Sequence, residues 1–378
     1  MSDLSKGVET SQRLMSLDAL KGFDMFWILL PTYPVFHQLL VALGLDGCWL
    51  DCQMKHLPWN GFTFYDTIYP LFLFMSGVSF SFSCASARRR GMTDIRIALG
   101  LLRRAVVLVL VGSTIHGSLQ LNPRTFTLCS VIGRIGISCG LAGCIWLLSG
   151  GVGRCVAVGV AMLAVYGALP FFVAVPGAPD GAMPYGSTSA CIYAWMDGNV
   201  FPMPLFKQGF AGIFAMTVTA LSGILTGEWM RRRDIGDMRR TKGLVLAAAV
   251  QLVAGLLVAH GLGPWSVPVN KPIWSSSYVL VTGGYSCAML ALFFWLIDVK
   301  GWRKWCFPLR VIGMNLLFAY VASRTILPFR AEMTFLFGGV MRLMPSEAWG
   351  EFAGQLGCIV VYWLLLYALY RRKWFFKA

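Results

Sequence analysis

The feature that most constrains this chain is a series of long apolar segments separated by short basic ones. The apolar segments lie at about 23–44, 62–85, 105–121, 128–149, 153–175, 210–229, 243–262, 277–298, 307–327 and 354–370. Each has roughly the 20 residues that a helix needs to cross about 30 Å of hydrocarbon. The alternating pattern of a barrel strand is absent, and helices satisfy their own backbone in lipid. The sequence therefore predicts an all-α, polytopic transmembrane bundle of about ten, or ten to eleven, helices.

Composition excludes an ordinary soluble domain. Of the 378 residues, 57% are hydrophobic and 13% are charged, whereas soluble domains carry about 25% charged residues. The net charge of +15 does not indicate nucleic-acid binding, because the basic residues fall in short runs between the apolar segments. These runs are typical of topology signals, which predicts the lipid bilayer rather than nucleic acid as the partner.

The basic runs also predict the orientation of the chain. With ten crossings, all of them fall on one side together with the N-terminus, and that side is the cytoplasm by the positive-inside rule. Both termini are then cytoplasmic, and His56 lies outside. The predicted divisions are a cytoplasmic segment 1–22, a transmembrane domain 23–370 and a basic cytoplasmic tail 371–378. The runs are 87–104, 230–242, 298–305 and the tail.

Two longer connections are predicted on the outer side. Residues 176–209 are rich in Pro, Gly, Ser and aromatic residues, and a connection of that length is usually functional. Residues 328–350 contain FLFGGVMRLM, which predicts a short interfacial helix.

The cysteines are mostly within apolar segments, where they are typical of small packed thiols. Cys48 and Cys52 are exceptions, since they lie in a loop with His56 four residues further on. The spacing leaves open a metal site, a disulfide between the two cysteines, or two free thiols.

Several polar side chains lie inside predicted spans, where they indicate function unless they are paired. Asp18, Lys21 and Asp24 follow one another on nearly one face of the first helix and can pair along it. They either seat the helix end or serve a site. Arg134 lies in the fourth span between glycines, and a buried arginine needs a carboxylate or a phosphate. Asp66 is one available carboxylate.

The stretch KHLPWNGFTFYDTIYPLFLFMSG (55–77) places His56 in a loop just before a helix that contains Asp66. An imidazole is the natural proton acceptor near neutral pH, and a nearby carboxylate or amide can fix its tautomer. The alternative is a surface or structural histidine. His37, His116 and His260 are secondary candidates.

A further cluster, PVNKPIWSSSYVL (268–280), opens the eighth span with an amide, a lysine, an indole and hydroxyls. These groups suit a sugar or a polar headgroup. The alternative is an interfacial anchor, because Trp and Lys are common at membrane boundaries. Asn315 is a buried amide in the ninth span, either an interhelical hydrogen-bonding group or part of a site.

Seven motifs, taken in order, resemble the transmembrane acyltransferases related to heparan-α-glucosaminide N-acetyltransferase. The resemblance runs from about residue 13 to 378, and the chain is similar to a compact bacterial form that lacks the extra N-terminal lumenal part. The motifs are RLMSLDALKGFDMF, KHLPWNGFTFYDTIYPLFLFMSG, SVIGRIG, PVNKPIWSSSYV, IDVKGW, GMN and YRRKWFFK.

The resemblance implies acetyl transfer from cytoplasmic acetyl-CoA to the amino group of a glucosamine-type sugar outside. It implies a bacterial cytoplasmic membrane location and a homodimer, and it requires no metal. The candidate residues are His56, Asp66 and Asn60 for catalysis, Trp59, Asn270, Lys271, Trp274 and Ser275 for the acceptor, and Arg134, Lys21, Asp18, Asn315, Arg103 and Arg104 for acetyl-CoA.

Other functions stay open at this stage. A small-molecule transporter suits ten helices with buried charges, although the matching broken helices of inverted repeats are not evident. An O-acyltransferase of surface polysaccharide would use the same imidazole on a hydroxyl. Within N-acetyl transfer, direct attack by the amine competes with an acetyl-histidine intermediate.

Overall fold

The computed structural model describes residues 14–29, 32–115, 127, 129–178, 183–200, 209–325 and 329–376. Within these ranges the chain forms helices and contains no strand; an isolated antiparallel bridge pairs Asn60 with Asn270. The all-α prediction is confirmed.

Fifteen α-helices make up the described part of the chain. They are α1 (Met15–Leu29), α2 (Thr32–Ala42), α3 (Trp49–Gln53), α4 (Ile68–Arg89), α5 (Asp94–Ile115), α6 (Val131–Ser149), α7 (Val152–Phe172), α8 (Ile192–Asn199), α9 (Ile213–Arg231), α10 (Asp237–His260), α11 (Ser276–Phe294), α12 (Phe307–Gly313), α13 (Leu316–Thr325), α14 (Phe329–Arg342) and α15 (Glu347–Arg371). A 3₁₀ turn, Phe64–Thr67, leads into α4. A π turn, Trp295–Val299, extends α11.

Seven helical segments of the described chain are long and apolar enough to cross a bilayer. They are Phe64–Arg89, Val131–Ser149, Val152–Phe172, Ile213–Arg231, Asp237–His260, Ser276–Val299 and Glu347–Arg371. The count of about ten crossings, the cytoplasmic termini and the division at residues 22 and 370 stay predictions.

One predicted span is divided in the structure, and another begins earlier than expected. The span 23–44 contains α2 and most of α1, which begins at Met15 rather than near Phe23; residues 30–31 between them lie outside the described residues. At the start of α1, the Ser16 amide donates to the Asp298 carboxylate at 3.2 Å. The ninth, 307–327, is broken into α12 and α13 at Asn315, whose side-chain oxygen accepts from the Phe376 amide at 3.2 Å.

The two long connections contain more helix than the sequence indicated. The connection 176–209 includes α8, although 179–182 and 201–208 lie outside the described residues. A helix, α14, is present in 328–350 as predicted, and its position at the membrane interface stays a prediction.

Close backbone contact between α4 and α9 forms the centre of the bundle. A Cβ added to Gly77 would lie 2.1 Å from the Ala220 carbonyl oxygen, and one added to Gly223 would lie 2.0 Å from that of Phe74. Only glycine permits this approach. The two helices are therefore locked at the point from which α4 carries Asp66 towards one end of the bundle.

The contacts between α4 and α9 also fix their relative direction. Residue 77 meets 220–224, and further along both chains Ser81 donates to the Glu228 carboxylate at 2.7 Å. The helices are thus parallel, so Arg88 and Arg231 lie at the same end. The 22 residues of α4, at about 1.5 Å each, separate that arginine-rich end from the end near His56 by about 33 Å.

Candidate functional site

The centre of the candidate site is a buried carboxylate that holds an imidazole and an ammonium group. The His56 Nδ1 lies 2.8 Å from Asp66 Oδ1, and the Lys271 Nζ lies 3.1 Å from the same oxygen. The Asp66 side chain is 2% exposed, whereas that of His56 is 51% exposed. The carboxylate is therefore fixed by the protein, while the imidazole remains accessible at the protein surface.

Local sequence explains why Asp66 has this position. It is the third residue of the 3₁₀ turn that Thr63 caps, and the two form a capping box. The Thr63 amide and hydroxyl lie 3.2 and 2.9 Å from Asp66 Oδ2. One carboxylate oxygen thus holds the turn, and the other is directed at His56.

The geometry selects one tautomer of His56. Because Nδ1 faces Asp66, the Nδ1–H donates to the carboxylate and the lone pair is left on Nε2. The Lys271 Nζ lies 2.9 Å from Nδ1 and 3.3 Å from Nε2. With Nδ1–H committed to Asp66, the ammonium group of Lys271 donates to the carboxylate. Nε2 is then a proton acceptor, or a nucleophile, at the exposed edge of the ring.

Lys271 is less basic than an ordinary lysine. Its burial lowers the pKa of the ammonium group, and nearby Arg134 lowers it further, while the attraction of Asp66 opposes both. The site consequently contains an ammonium group that loses its proton at a lower pH than usual.

A short backbone link brings Lys271 to His56 from 215 residues away. The Gly61 amide donates to the Val269 carbonyl at 2.9 Å, and the Asn270 side-chain amide donates to Asn60 Oδ1 at 2.9 Å. The two loops are thereby joined side by side. Lys271, which follows Asn270, is held next to the His56 imidazole.

The other predicted acceptor residues use their polar atoms inside the protein. The indole of Trp274 donates to the Thr219 hydroxyl at 3.1 Å and is 2% exposed. Ser275 caps α11, accepting from the Tyr278 amide. Trp59 donates to the Tyr185 carbonyl at 2.9 Å. These contacts shape the loops around the imidazole, and a role in acceptor binding stays a prediction.

Asn60, predicted to be catalytic, takes part in the same loop framework. Its side-chain nitrogen donates to the Tyr185 carbonyl at 3.1 Å, and its oxygen accepts from Asn270. Both polar atoms of the amide are therefore engaged, and the residue positions the His56 loop against the Lys271 loop.

Arg134 lies at the same end of the bundle as Lys271, whose pKa its charge lowers, and its pairing with Asp66 stays a prediction. Its guanidinium group lies over the Tyr69 ring, 5.6 Å from the centroid. A Cβ on Gly209, whose φ is +85°, would lie 2.8 Å from Arg134 Nη1. The close approach of this glycine brings the guanidinium against backbone that is hydrogen-bonded to Asp197 of α8.

Asp197 is a site component that sequence reasoning missed. Its carboxylate accepts from the Gly209 and Ala211 amides at 2.9 and 3.1 Å. Burial raises the pKa of the Asp197 carboxyl, and these hydrogen bonds together with the Arg134 charge oppose the shift. It lies in a connection rich in Gly and Pro, where no sequence motif marked it. The one available signal was an acidic residue among apolar neighbours.

The residues predicted to hold acetyl-CoA are spread along the bundle. Arg103 and Arg104 are exposed, and Arg104 borders a cavity of about 20 Å³ beside Ser76 and Cys139. Such a cavity has room for about one water molecule, so a pantetheine arm needs a wider opening than this one. Asp18 and Asn315 are buried, and Lys21 is half-buried.

The predicted pairing along α1 is incomplete. Asp24 is fully buried, and neither of its carboxyl oxygens has a hydrogen-bond partner among the residues that the structure describes. The spacing of Asp18, Lys21 and Asp24 indicated a common face, but the helix turns Asp24 into the bundle.

A second histidine–aspartate–lysine cluster lies nearby in the structure. The buried Asp51 carboxylate is 2.8 Å from His37 Nδ1 and 2.6 Å from Lys55 Nζ. His37 falls within the predicted span 23–44, and Asp51 was not among the predicted site residues. The cluster joins α2 to α3 and ends one residue before His56, so it anchors the loop that carries His56. His116 lies outside the described residues, and His260 is exposed at the end of α10.

We expect Asp51→Asn to destabilise this anchor in a pH-dependent way. Burial raises the pKa of the Asp51 carboxyl, but hydrogen bonds from Lys55 and His37 outweigh that effect and hold the pKa below its usual range. The stabilisation is therefore present above about pH 4 and is lost as the pH falls further. Thermal unfolding in detergent between pH 3 and 7 should show a lower Tm for the variant at pH 7 and a converging Tm in acid. A constant difference would contradict this assignment.

The loop cysteines are free thiols in the structure. Cys48 and Cys52 form no disulfide, and the Cys52 thiol lies 3.9 Å from the Gly47 carbonyl oxygen. In the part of the chain that the structure describes, no group of three His, Cys, Asp or Glu side chains is arranged to hold a metal ion.

Comparison with known proteins reveals a relationship over nearly the whole chain. Heparan-alpha-glucosaminide N-acetyltransferase of Mus musculus is 24% identical over 428 residues, covering 99% of this chain and 63% of that protein. The Homo sapiens protein of the same name is 23% identical over 422 residues, covering 97% of this chain and 60% of that protein. The chain is a distant relative of these proteins.

The relationship has a defined extent. No family model matches the chain, and the chain spans about three fifths of the length of the curated relatives it matches. Together with the long apolar helices, the relationship establishes an integral membrane protein.

Proposed function

We propose that the protein transfers an acetyl group from acetyl-CoA, bound from the cytoplasmic side of a bacterial inner membrane, to the amino group of a glucosamine-type sugar on the opposite side. The observation that carries the proposal is the half-exposed imidazole of His56, oriented by buried Asp66 with Nε2 available. The relationship to proteins named heparan-alpha-glucosaminide N-acetyltransferase supports the same chemistry.

The charge distribution supports the direction of transfer. Arg88 and Arg231 lie at one end of α4 and α9, and His56 lies at the other. Arginine-rich ends face the cytoplasm in membrane proteins, and they suit the phosphates of CoA. The acceptor then meets the thioester at the outer end of the bundle.

The reaction exchanges a carbon–sulfur bond for a carbon–nitrogen bond. The acceptor amine attacks the thioester carbonyl, and His56 Nε2 takes the proton that the nitrogen loses. Asp66 stabilises the resulting imidazolium ion. The CoA thiolate leaves as the tetrahedral intermediate collapses, and it takes up the proton that His56 carries.

Two cations near the imidazole suit the negative charge that develops on the thioester oxygen. Lys271 Nζ lies 3.3 Å from Nε2, and Arg134 is close enough to depress the pKa of Lys271. Preorganised positive charge of this kind stabilises a developing oxyanion.

An acetyl-histidine path remains the competing scheme. In it, Nε2 attacks the thioester, CoA leaves, and the amine then takes the acetyl group from the ring. Incubation with labelled acetyl-CoA and no acceptor distinguishes the two. Stable label on a peptide containing His56 supports the covalent path, and its absence supports direct transfer.

The defining experiment is mass spectrometry of amino sugars incubated with the purified protein and ¹³C-acetyl-CoA. The expected result is an acetylated amine that carries the label. The hydroxyl analogue of each sugar should remain unlabelled, and labelling of the hydroxyl compound instead would indicate O-acyl transfer. Uptake of sugar into proteoliposomes without acyl-CoA would indicate a transporter and contradict the proposal.

The lowered pKa of Lys271 predicts an unusual alkaline limit to activity. As the pH rises through that pKa, the ammonium charge of Lys271 is lost and the rate of transfer should fall. This fall should begin at a lower pH than the one at which an ordinary lysine loses its proton. Lys271→Arg keeps its charge and should extend activity to higher pH. Lys271→Met should lower kcat by about 10²-fold, and its pH profile should lack the alkaline decline. Measurement of kcat/KM from pH 6 to 10 checks it, and a Lys271→Met profile identical to that of the wild type would refute the role.

A further inference from the structure

Two buried polar groups on one face of α1 have no hydrogen-bond partner in the described ranges. They are the carboxyl group of Asp24, which is 0% exposed, and the indole nitrogen of Trp27. The residues are three apart, so their side chains project from the same face of the helix. The face carries one hydrogen-bond donor and one carboxyl group directed into the bundle.

Such groups need an explanation, because buried polar atoms in proteins nearly always have partners. In a membrane-embedded helix an ionisable side chain without a partner indicates a functional site. Neither group belongs to the His56 cluster, whose carboxylate is fully engaged by Thr63, His56 and Lys271.

The pair lies between the arginine-rich end and the imidazole. α1 begins at the end where Ser16 contacts Asp298. Near its other end, the Trp27 ring meets Phe64, with centroids 5.2 Å apart, and Phe64 opens the turn that carries Asp66. A chain running along α1 towards His56 passes Asp24 first and Trp27 next.

The surroundings of the pair combine aromatic rings with few polar groups. The Phe23 ring contacts both Trp27, at 6.2 Å between centroids, and Phe293, at 5.7 Å. Tyr285 is within electrostatic range of Asp24. Aromatic neighbours around two isolated polar groups suit a ligand that is mostly methylene with an occasional amide.

We propose that Asp24 and Trp27 bind a secondary amide of the pantetheine arm of acetyl-CoA. The indole N–H of Trp27 donates to the amide carbonyl oxygen, and a carboxyl oxygen of Asp24 accepts from the amide N–H. The inference rests on the proposed function, since it assigns a binding site to that co-substrate. It adds two residues that hold the arm in line with His56 while the acetyl group is transferred.

The test compares acetyl-pantetheine with an analogue in which the amide N–H next to the thioester arm is replaced by an ester oxygen. For the wild type we expect a KM about tenfold higher with the ester, the effect of one lost hydrogen bond. Asp24→Leu should raise the KM for acetyl-pantetheine by about the same factor and abolish the discrimination. Asp24→Asn, which keeps an acceptor oxygen, should retain most of it.

Trp27→Phe removes the indole N–H and keeps an aromatic ring, so it should raise the KM for both compounds. Trp265→Phe is the matched control, because Trp265 is 54% exposed. The KM for the acceptor sugar should not change in any variant.

The Tm of Asp24→Leu should equal or exceed that of the wild type, because the variant loses no internal hydrogen bond. If Asp24 had a structural role instead, the substitution would lower the Tm.

The outcomes separate this inference from the proposed function. One outcome is that the wild type transfers acetyl groups while Asp24→Leu shows the same KM and the same preference for acetyl-pantetheine over its ester analogue. That result overturns the inference and leaves the proposed function standing. If the wild type transfers no acetyl group, calorimetric titration of the detergent-solubilised protein with CoA decides. Weaker binding by Asp24→Leu and Trp27→Phe supports the site, and equal or absent binding overturns it.

Discussion

Replacement of His56 by alanine should reduce acetyl transfer by about 10²–10⁴-fold, the usual contribution of a positioned general base. The loss should appear in kcat, because the imidazole acts on the proton of the attacking amine and contributes little to binding either substrate. A covalent mechanism would give a larger loss, since the nucleophile itself would be absent.

The same variant should fold normally. His56 is half-exposed, its described contacts are with Asp66, Lys271 and the Tyr65 ring, and Thr63 and Lys271 still satisfy the carboxylate without it. The Tm in detergent should therefore fall only slightly. His260→Ala is the matched control, because it removes an exposed imidazole elsewhere and should leave the rate unchanged. Full activity of His56→Ala would refute the site assignment.

Gly223→Val should have the largest effect on folding. A Cβ at this position would lie 2.0 Å from the Phe74 carbonyl oxygen, so the contact is with backbone and cannot be relieved by a side-chain rotation. Overpacking a core typically costs about 1–3 kcal/mol, and a clash with backbone belongs at or above the upper limit. We expect a large drop in Tm in detergent and little recoverable folded protein.

Gly100→Val is the matched control for this prediction. Gly100 is an exposed glycine inside α5, and a Cβ there would meet nothing within 4 Å. The same substitution should change the Tm by only a degree or two. Normal stability and activity of Gly223→Val would mean that α4 and α9 do not approach each other as described, and the position of Asp66 would then need revision.

The two arrangements of His, Asp and Lys illustrate how one chemical group serves two purposes. In the Asp51 cluster, two cationic side chains lower the carboxyl pKa, and the group acts as an anchor for the loop. In the Asp66 cluster, the same side-chain types leave Nε2 of the imidazole at the surface. Exposure of the ring, rather than composition of the cluster, distinguishes the catalytic candidate.

The sequence by itself determined the helical class, the apolar segments and the position of the basic runs. These follow from local chemistry, because a bilayer sets the length of an apolar segment and the backbone in lipid has to form its own hydrogen bonds. The proximity of His56 and Asp66 was also predictable, since ten residues of loop and capped turn separate them.

The tertiary structure decided which distant residues complete the site. Lys271 is held at His56 by the pairing of Asn60 with Asn270, and the Gly209 backbone, whose amide donates to Asp197, lies against Arg134. Hydropathy does not encode these contacts. It also could not reveal that the Asp24 side chain points into the bundle, where its carboxyl oxygens have no hydrogen-bond partner among the described residues. Segment length depends on the solvent around each helix, whereas site assembly depends on packing between helices far apart in the chain.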